Sequence, residues 1–429
     1  MNRPHARTRC TLALLAGFAL GACGDDTGAP LAIDASNTVA TDGGFDAGLD
    51  GGAPATHLGI AVVNSDYSAS SVSLLDRDGN LVKDGCFNSG TGAPSLATAL
   101  SSDVVLPTQM PPGGPLVIVD RGNAALTWLD PATCAPLRQL AVGTGYVAYP
   151  HDVVTLSANK AYVTRYEENA KPTPAPDDFD DGSDLLIIDP ALPKLLGRID
   201  LKPFAPAGVQ TRADRALLAE GIVFVSLNAI SGDFKTYGTG RIVLVDPITD
   251  GVTGVIDLPG VKNCGAMVYA SAEKRLMVAC GGDFNDARQV DSSAIVVIDL
   301  GVSPPAVATQ IAAASIGALP FSNQSLAAWD GHTVLGLTLG NPSDPPHDQL
   351  WSMPVAGTVP TKVFESAESW ALGAILADPE MGRILVADGT TMTGAFLRVF
   401  DVAAGTFTPS KTVKTNPAQK LPPRALAFY

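Results

Sequence analysis

The sequence predicts an all-β chain of seven repeating units closed into a ring, and three observations carry that prediction. The first is a recurring pair of apolar runs whose second member closes on aspartate. It reads SSVSLLD at Asp76, ALTWLD at Asp130, DLLIID at Asp189, RIVLVD at Asp246, AIVVID at Asp299 and FLRVFD at Asp401, with a degenerate QLWSMP ending at Pro354. Asp76 to Asp401 is 325 residues in six steps, about 54 per repeat, so residues 57–429 hold seven units. The second is composition: 43 Gly and 33 Pro among 429 residues supply many turns, and 46% hydrophobic with 17% charged residues excludes a disordered chain or a coiled coil. The third is closure. The repeat region starts on LGIAVVN, which reads as a second strand, and ends on PRALAFY (423–429), which reads as a first strand. The C-terminal strand is therefore expected to complete the N-terminal unit and to remove open sheet edges. Four short antiparallel strands per unit at this period are the signature of a β-propeller, here with seven blades. A single closed ring overrides the two or three domains that length alone suggests.

Taken in order, the chain begins with Arg3, Arg7 and Arg9, followed by thirteen uncharged residues, Cys10 to Ala22. That run is too short to span a bilayer, which needs about 20 residues, but it fits the apolar core of a signal peptide. It ends Leu20-Gly21-Ala22-Cys23, which resembles the lipobox of bacterial lipoproteins. The resemblance implies cleavage before Cys23 and a diacylglyceryl thioether on its sulfur. Gly24 resembles the pattern of outer-membrane lipoproteins, and Asp25 and Asp26 follow it. The expected address is the cell envelope, in the outer membrane of a Gram-negative bacterium, with several acyl chains giving a stable anchor. Residues 24–56 are rich in Gly, Ala and Asp, lack Lys and Arg, and read as an acidic, disordered linker. The division is thus signal peptide 1–22, lipidated cysteine and linker 23–56, and propeller 57–429.

Charge follows that division. The formal −15 becomes −18 without the three signal arginines; the linker holds −6 of this and the propeller −12. A pI near 4.6 disfavours nucleic acid as a partner. Within the propeller the fourth unit shows the scheme: ADRALLAE, GIVFVSLN, RIVLVD and VTGVIDL, rich in Val, Ile and Leu and bounded by turn residues. First-to-second links are tight (157–160, 271–274, 378–382), and third-to-fourth links are compact, as in DPATCAP, DPALPK and DPITDG. Proline after aspartate presets φ for a type I turn.

Segments such as AVVNSDYSASSVSLLD (61–76), KAYVTRY (160–166) and VIVDRGNAALTWLD (117–130) resemble the YVTN-type bacterial propeller repeat of the quinoprotein amine dehydrogenase-like group. Such repeats occur in surface-layer proteins, lactonase-like enzymes and dehydrogenase subunits. The resemblance implies a fold and leaves the reaction open.

Four cysteines remain in the propeller. Cys264 and Cys280 are centred on the SAEK turn at 271–274, so they should face each other across a hairpin within disulfide reach. Cys86, on an outer strand, is left to pair with Cys134 in a turn of the next blade. The second-to-third and inter-blade links share one face, and there the links are long: 166–184, LNAISGDFKTYGTG, GGDFNDARQVDSS and LGNPSDPPHDQ. Long loops on one face of a rigid ring mark a binding face, with His151, Arg165, Tyr166, Asp283, Asn285 and His347 as candidates. Asp178, Asp180, Asp181 and Asp184 are candidate calcium ligands beside Asp177, although their spacing departs from the EF-hand. No GxSxG, HExxH, P-loop or dinucleotide fingerprint occurs. The expectation is a monomeric, lipid-anchored binding or scaffold module with a protein or glycan ligand and no cofactor beyond calcium. The alternative is a metal-dependent lactonase or hydrolase at the channel mouth.

Overall fold

The computed structural model describes residues 57–173, 179–317, 319–341, 344–356, 359–391 and 395–429. Among these residues the strands form seven four-stranded antiparallel sheets, the blades of a β-propeller. Blade 1 combines residues 59–88 with the C-terminal strand; blades 2 to 7 span 104–141, 150–200, 213–262, 264–312, 321–365 and 372–413. Helix among the described residues is limited to short 3-10 turns at 202–204, 289–292, 313–315 and 379–381. The degenerate QLWSMP is a full strand, Gln349–Pro354.

The ring closes as the sequence predicts. Pro423–Phe428 is the innermost strand of blade 1 and pairs with Gly59–Ser65, Ile60 opposite Phe428 and Val62 opposite Leu426. Every blade therefore has a neighbour on both sides. Seven apolar cores occupy the interfaces between adjacent blades. Leu217, Phe224 and Ile242 meet Met267 and Val278 between blades 4 and 5, and Ile60, Val62 and Leu75 meet Leu385 and Val399 between blades 7 and 1. Middle strands are covered on both faces, which is why runs such as Ile242-Val243-Leu244-Val245 are continuously apolar rather than alternating. Outer strands face solvent, and Ala306–Ala312 has no buried residue.

The recurring aspartate has a physical reason. Asp130 Oδ1 accepts the Ala132 amide at 2.8 Å, Asp189 Oδ1 accepts those of Ala191 and Leu192 at 2.9 and 3.0 Å, and Asp246 Oδ1 accepts that of Ile248 at 2.8 Å. Each carboxylate closes the third-to-fourth turn as an Asx turn. Both cysteine pairs are joined: Cys264 lies opposite Cys280 in register, and Cys86 links blade 1 to Cys134 of blade 2 across a sequence separation of 48.

Candidate functional site

Two kinds of link leave the blades on one face. Second-to-third links are short in blades 1 and 2 (66–69, 121–124) and long in blades 3 to 6 (169–181, 228–238, 282–292, 339–348). The central mouth on this face is built by the starts of the innermost strands, Pro150-His151-Asp152 in blade 3 and Ala213-Asp214-Arg215 in blade 4. His151 Nδ1 lies 2.7 Å from Asp214 Oδ1, and Asn228 Nδ2 donates to Asp214 Oδ2 at 3.0 Å. The imidazole stacks on Tyr166 with centroids 4.1 Å apart and 9° between planes, and Tyr149 tilts against it at 5.2 Å.

Burial lowers the pKa of His151, and Arg121 and Arg215 add to the effect against the opposing pull of Asp214. The ring is therefore neutral near pH 7, and the Asp214 contact assigns its one proton to Nδ1. Nε2 carries the lone pair, and it is buried without a hydrogen-bond partner among the described residues. Burial alone would raise Asp214; His151, the Arg215 guanidinium at 3.6 Å and Asn228 outweigh it and hold the carboxylate below its usual range.

Around His151 runs an arc in which guanidinium and aromatic groups alternate. The Arg424 guanidinium lies 5.5 Å from the Tyr67 ring centroid, and that of Arg121 lies 5.3 Å from Tyr149. The Arg212 guanidinium lies 5.0 Å from Tyr166 and 4.0 Å from Phe234. Arg121 pairs with Asp103, which also accepts the Tyr149 hydroxyl, and Arg212 pairs with Glu167 at 2.5 Å. Among the described residues Arg424 has no carboxylate partner; it donates to the carbonyls of Ser65 at 3.2 Å and Trp370 at 3.3 Å. Five members of this region hold left-handed backbone: Tyr67 (φ 66°), Tyr149 (49°), Arg212 (48°), Phe234 (60°) and Trp370 (61°). For bulky L-residues that conformation costs about 1–2 kcal/mol each. Among the described residues, the exposed large aromatics are Tyr67, Phe234, Phe284 and Trp370, and all four stand on this face.

The residues singled out from sequence are distributed unevenly. His151 and Tyr166 come together at the mouth. Arg165 is fully buried beneath the face, with Nε and Nη2 on Asp184 at 2.7 and 2.5 Å. Its strand alternates, so the side chain lies opposite Tyr166 and cannot present itself on the surface. The same ion pair engages Asp184. Asp181 meets Arg198 at 2.6 Å, and Asp180 accepts the Thr173 amide at 2.8 Å. Asp178 and Asp177 lie outside the described residues. Asp283 pairs with Lys262 at 3.0 Å, and Asn285 Nδ2 reaches the Phe234 carbonyl at 2.9 Å, tying the blade 5 link to the blade 4 link. His347 Nδ1 meets Ser369 Oγ at 3.0 Å, away from His151. The residues missed from sequence are Asp214, Arg121, Arg212, Arg424, Tyr67, Tyr149 and Trp370. One signal was present: Asp214 occupies in blade 4 the place that His151 occupies in blade 3, second in the innermost strand.

Among the described residues no group of three or more His, Cys, Asp or Glu side chains is placed to hold a metal ion. Shallow clefts of about 340 and 350 Å³ open on blades 6 and 7, and neither is lined by a residue of the mouth.

The fold defines a seven-bladed β-propeller, and comparison with solved structures agrees. The chain is similar to a proposed 6-phosphogluconolactonase of Bacteroides fragilis, with 12% identity and a TM-score of 0.55 over 89% of this chain and 100% of that one. It is also similar to a protein from Lactobacillus plantarum, with 14% identity and a TM-score of 0.57 over 87% and 100%. A third is a hypothetical selenium-binding protein of Sulfolobus tokodaii, at 11% identity and a TM-score of 0.53 over 87% and 93%. At these identities the likeness shows the fold alone. No protein-family model matches the chain, and no curated protein matches its sequence significantly.

Proposed function

We propose that this chain is a lipid-anchored, extracytoplasmic propeller of the bacterial envelope that binds a ligand on its long-link face. The observation that carries the reading is that the exposed aromatics of the described residues and the long links of four successive blades stand on one face of a closed ring, against a single ten-residue link, 106–115, on the other. The anchor rests on Leu20-Gly21-Ala22-Cys23 and the cationic start before it. On this reading the protein works as a monomer with a protein or glycan ligand, and its acidic surface keeps nucleic acid away. The alternative, a metal-dependent lactonase, draws on the likeness to proposed 6-phosphogluconolactonases, but no group of three or more His, Cys, Asp or Glu among the described residues is placed to hold its metal.

The test is recovery of envelope components by the full-length protein in detergent. Replacement of residues 170–178 by a short Gly-Ser link, with Tyr67→Ala, should abolish recovery of a component that wild type and Ile248→Ala both retain. Identical recovery by all three proteins would refute the link face as the site. For the address, Cys23→Ser should no longer float with membranes; flotation of that variant would overturn the anchor.

A further inference from the structure

We propose that the outer edge of blade 5, Ala306–Ala312, is a strand-addition site for an extended, uncharged segment of a partner polypeptide, which joins the blade as a fifth, antiparallel strand. The site lies on the rim of the ring, goes beyond the link-face reading and does not depend on it. Each blade ends on an outer strand with one unpaired edge, and such an edge templates pairing with another chain unless something blunts it. Bulges, charges and prolines are the usual devices. A register shift against the third strand interrupts all seven outer strands, so it distinguishes none of them. Charge and proline do distinguish them. The outer strands of blades 1 to 4, 6 and 7 carry charged residues, Lys83, Arg138, Arg198, Asp257, Lys362 and Lys411 among them, and three of these six strands also contain proline. Ala306–Ala312 contains neither.

A second observation reaches beyond the strand. Leu300 to Trp329 is the longest run of the sequence without Asp, Glu, Lys, Arg or His; at 17% charged residues, a run of 30 would hold about five. Around the edge this run is open to solvent. Val302 is 46% exposed, every residue of the strand is exposed or half-buried, and Ala314 and Ser315 beyond it are exposed. A solvent-facing stretch without charge, in a propeller of net −12, has the charge-depleted composition of the centre of a protein interface. The backbone identifies the occupant as a strand. On one side Ala306–Ala312 pairs with Ser293–Asp299; on the other it pairs with no strand among the described residues. Past the shift at Ala308, Thr309–Ala312 keeps regular register with Ala294–Val297, so its outer side is a straight row of backbone donors and acceptors. An added strand matches that row group for group. The side chains set its chemistry: Ala306, Ala308 and Ala312 are small, and Val307 and Ile311 are half-buried, so small or β-branched residues pack beside them. A charged segment would lose hydration there without meeting a counter-charge.

The probe is an acetylated and amidated heptapeptide of alternating threonine and valine, and the readout is amide hydrogen exchange of the full-length protein in detergent. Excess peptide should slow exchange within 306–312 by about tenfold, the protection that about 90% occupancy gives. The same peptide with alternate amides N-methylated keeps its side chains but loses donors, and it should give no protection. Thr309→Lys with Ala312→Lys adds charge at two exposed positions on opposite sides of the regular edge and should cut the protection to below about twofold. Unchanged exchange in the buried strand Arg275–Gly281 shows that this variant is folded. Absence of protection in wild type, equal protection by the N-methylated peptide, or equal protection of the blade 7 outer strand Thr406–Val413 would each overturn the proposal. So would a sedimenting dimer of the wild-type protein that the two lysines abolish, because it assigns the edge to a second copy of the chain. If the exchange experiment fails while the link-face variant still loses its envelope component, the strand site falls and the link face stands.

Discussion

The two faces of this ring are built on opposite terms. On the tight-turn face, first-to-second and third-to-fourth links are a few residues long apart from 106–115 in blade 2. Asp76, Asp130, Asp189, Asp246 and Asp299 close the latter with side-chain to backbone hydrogen bonds. Its exposed apolar residues are single aliphatic ones such as Leu192 and Ile248. On the link face the connections of blades 3 to 6 are long, Tyr67, Phe234, Phe284 and Trp370 are exposed, and Arg212, Tyr166 and the Asp214-paired His151 are buried beneath them. Tyr67, Phe234 and Trp370 sit there in backbone that glycine would hold at less cost. The difference teaches a division of labour: carboxylate-closed turns and seven continuous cores stabilise the ring, and although left-handed residues occur on both faces, Glu220, Asp250 and Lys274 among them in tight turns, the exposed aromatic ones, Tyr67, Phe234 and Trp370, stand on the link face.

Mutations can break that comparison, starting with the largest effect. Asp184→Asn removes the charge beneath the link face and leaves Arg165 buried and unpaired, so unfolding in urea should show a loss of about 3–5 kcal/mol. A loss below about 1 kcal/mol would mean that the platform under the blade 3 link does not depend on this pair. The two disulfides come next, one near each face. Cys86→Ala with Cys134→Ala opens a loop of 48 residues and should cost about 4 kcal/mol. Cys264→Ala with Cys280→Ala opens one of 16 and should cost about 3 kcal/mol, both measured under oxidising conditions. Peptide mapping without reductant should recover these two pairings; four free thiols would contradict both.

Smaller effects should differ in sign between the faces. Asp189→Ala removes two turn hydrogen bonds and should destabilise by about 1 kcal/mol. Trp370→Gly, on the other face, relieves a left-handed tryptophan and should leave the midpoint unchanged or raised by up to about 1 kcal/mol. A clear loss in Trp370→Gly would show that the residue is held for packing rather than for a ligand. The smallest effect is pH dependence. Burial depresses the His151 pKa from 6.5 in the folded state, so the unfolded chain binds the proton more readily. Stability should therefore fall as pH drops below about 6.5, and the slope should shrink in His151→Asn when both are followed by denaturation at pH 7.5, 6.5 and 5.5.

Much of the fold was legible because it repeats. The aspartate that ends a strand also closes its turn, so one residue type marked the period, the strand end and the link. The PRALAFY closure and both cysteine pairs follow once strands are counted. The site was less legible because it is made between repeats. His151 and Asp214 lie 63 residues apart and meet only because blades 3 and 4 are neighbours. Arg165 adjoins Tyr166 in sequence and was read with it, yet strand alternation sends the two to opposite sides. Tyr67 and Trp370 carry no local mark, since the residues that occupy left-handed backbone there are aromatic rather than glycine.

The most direct test of the central claim places a photo-crosslinking amino acid at one position on each face, Trp370 on the link face and Ile248 on the tight-turn face, in protein made by intact cells. Ile248 is the more exposed, at 87% against 48%. The account predicts a covalent adduct from position 370 and none from position 248. Adducts from 248 alone, or equally from both, would contradict it.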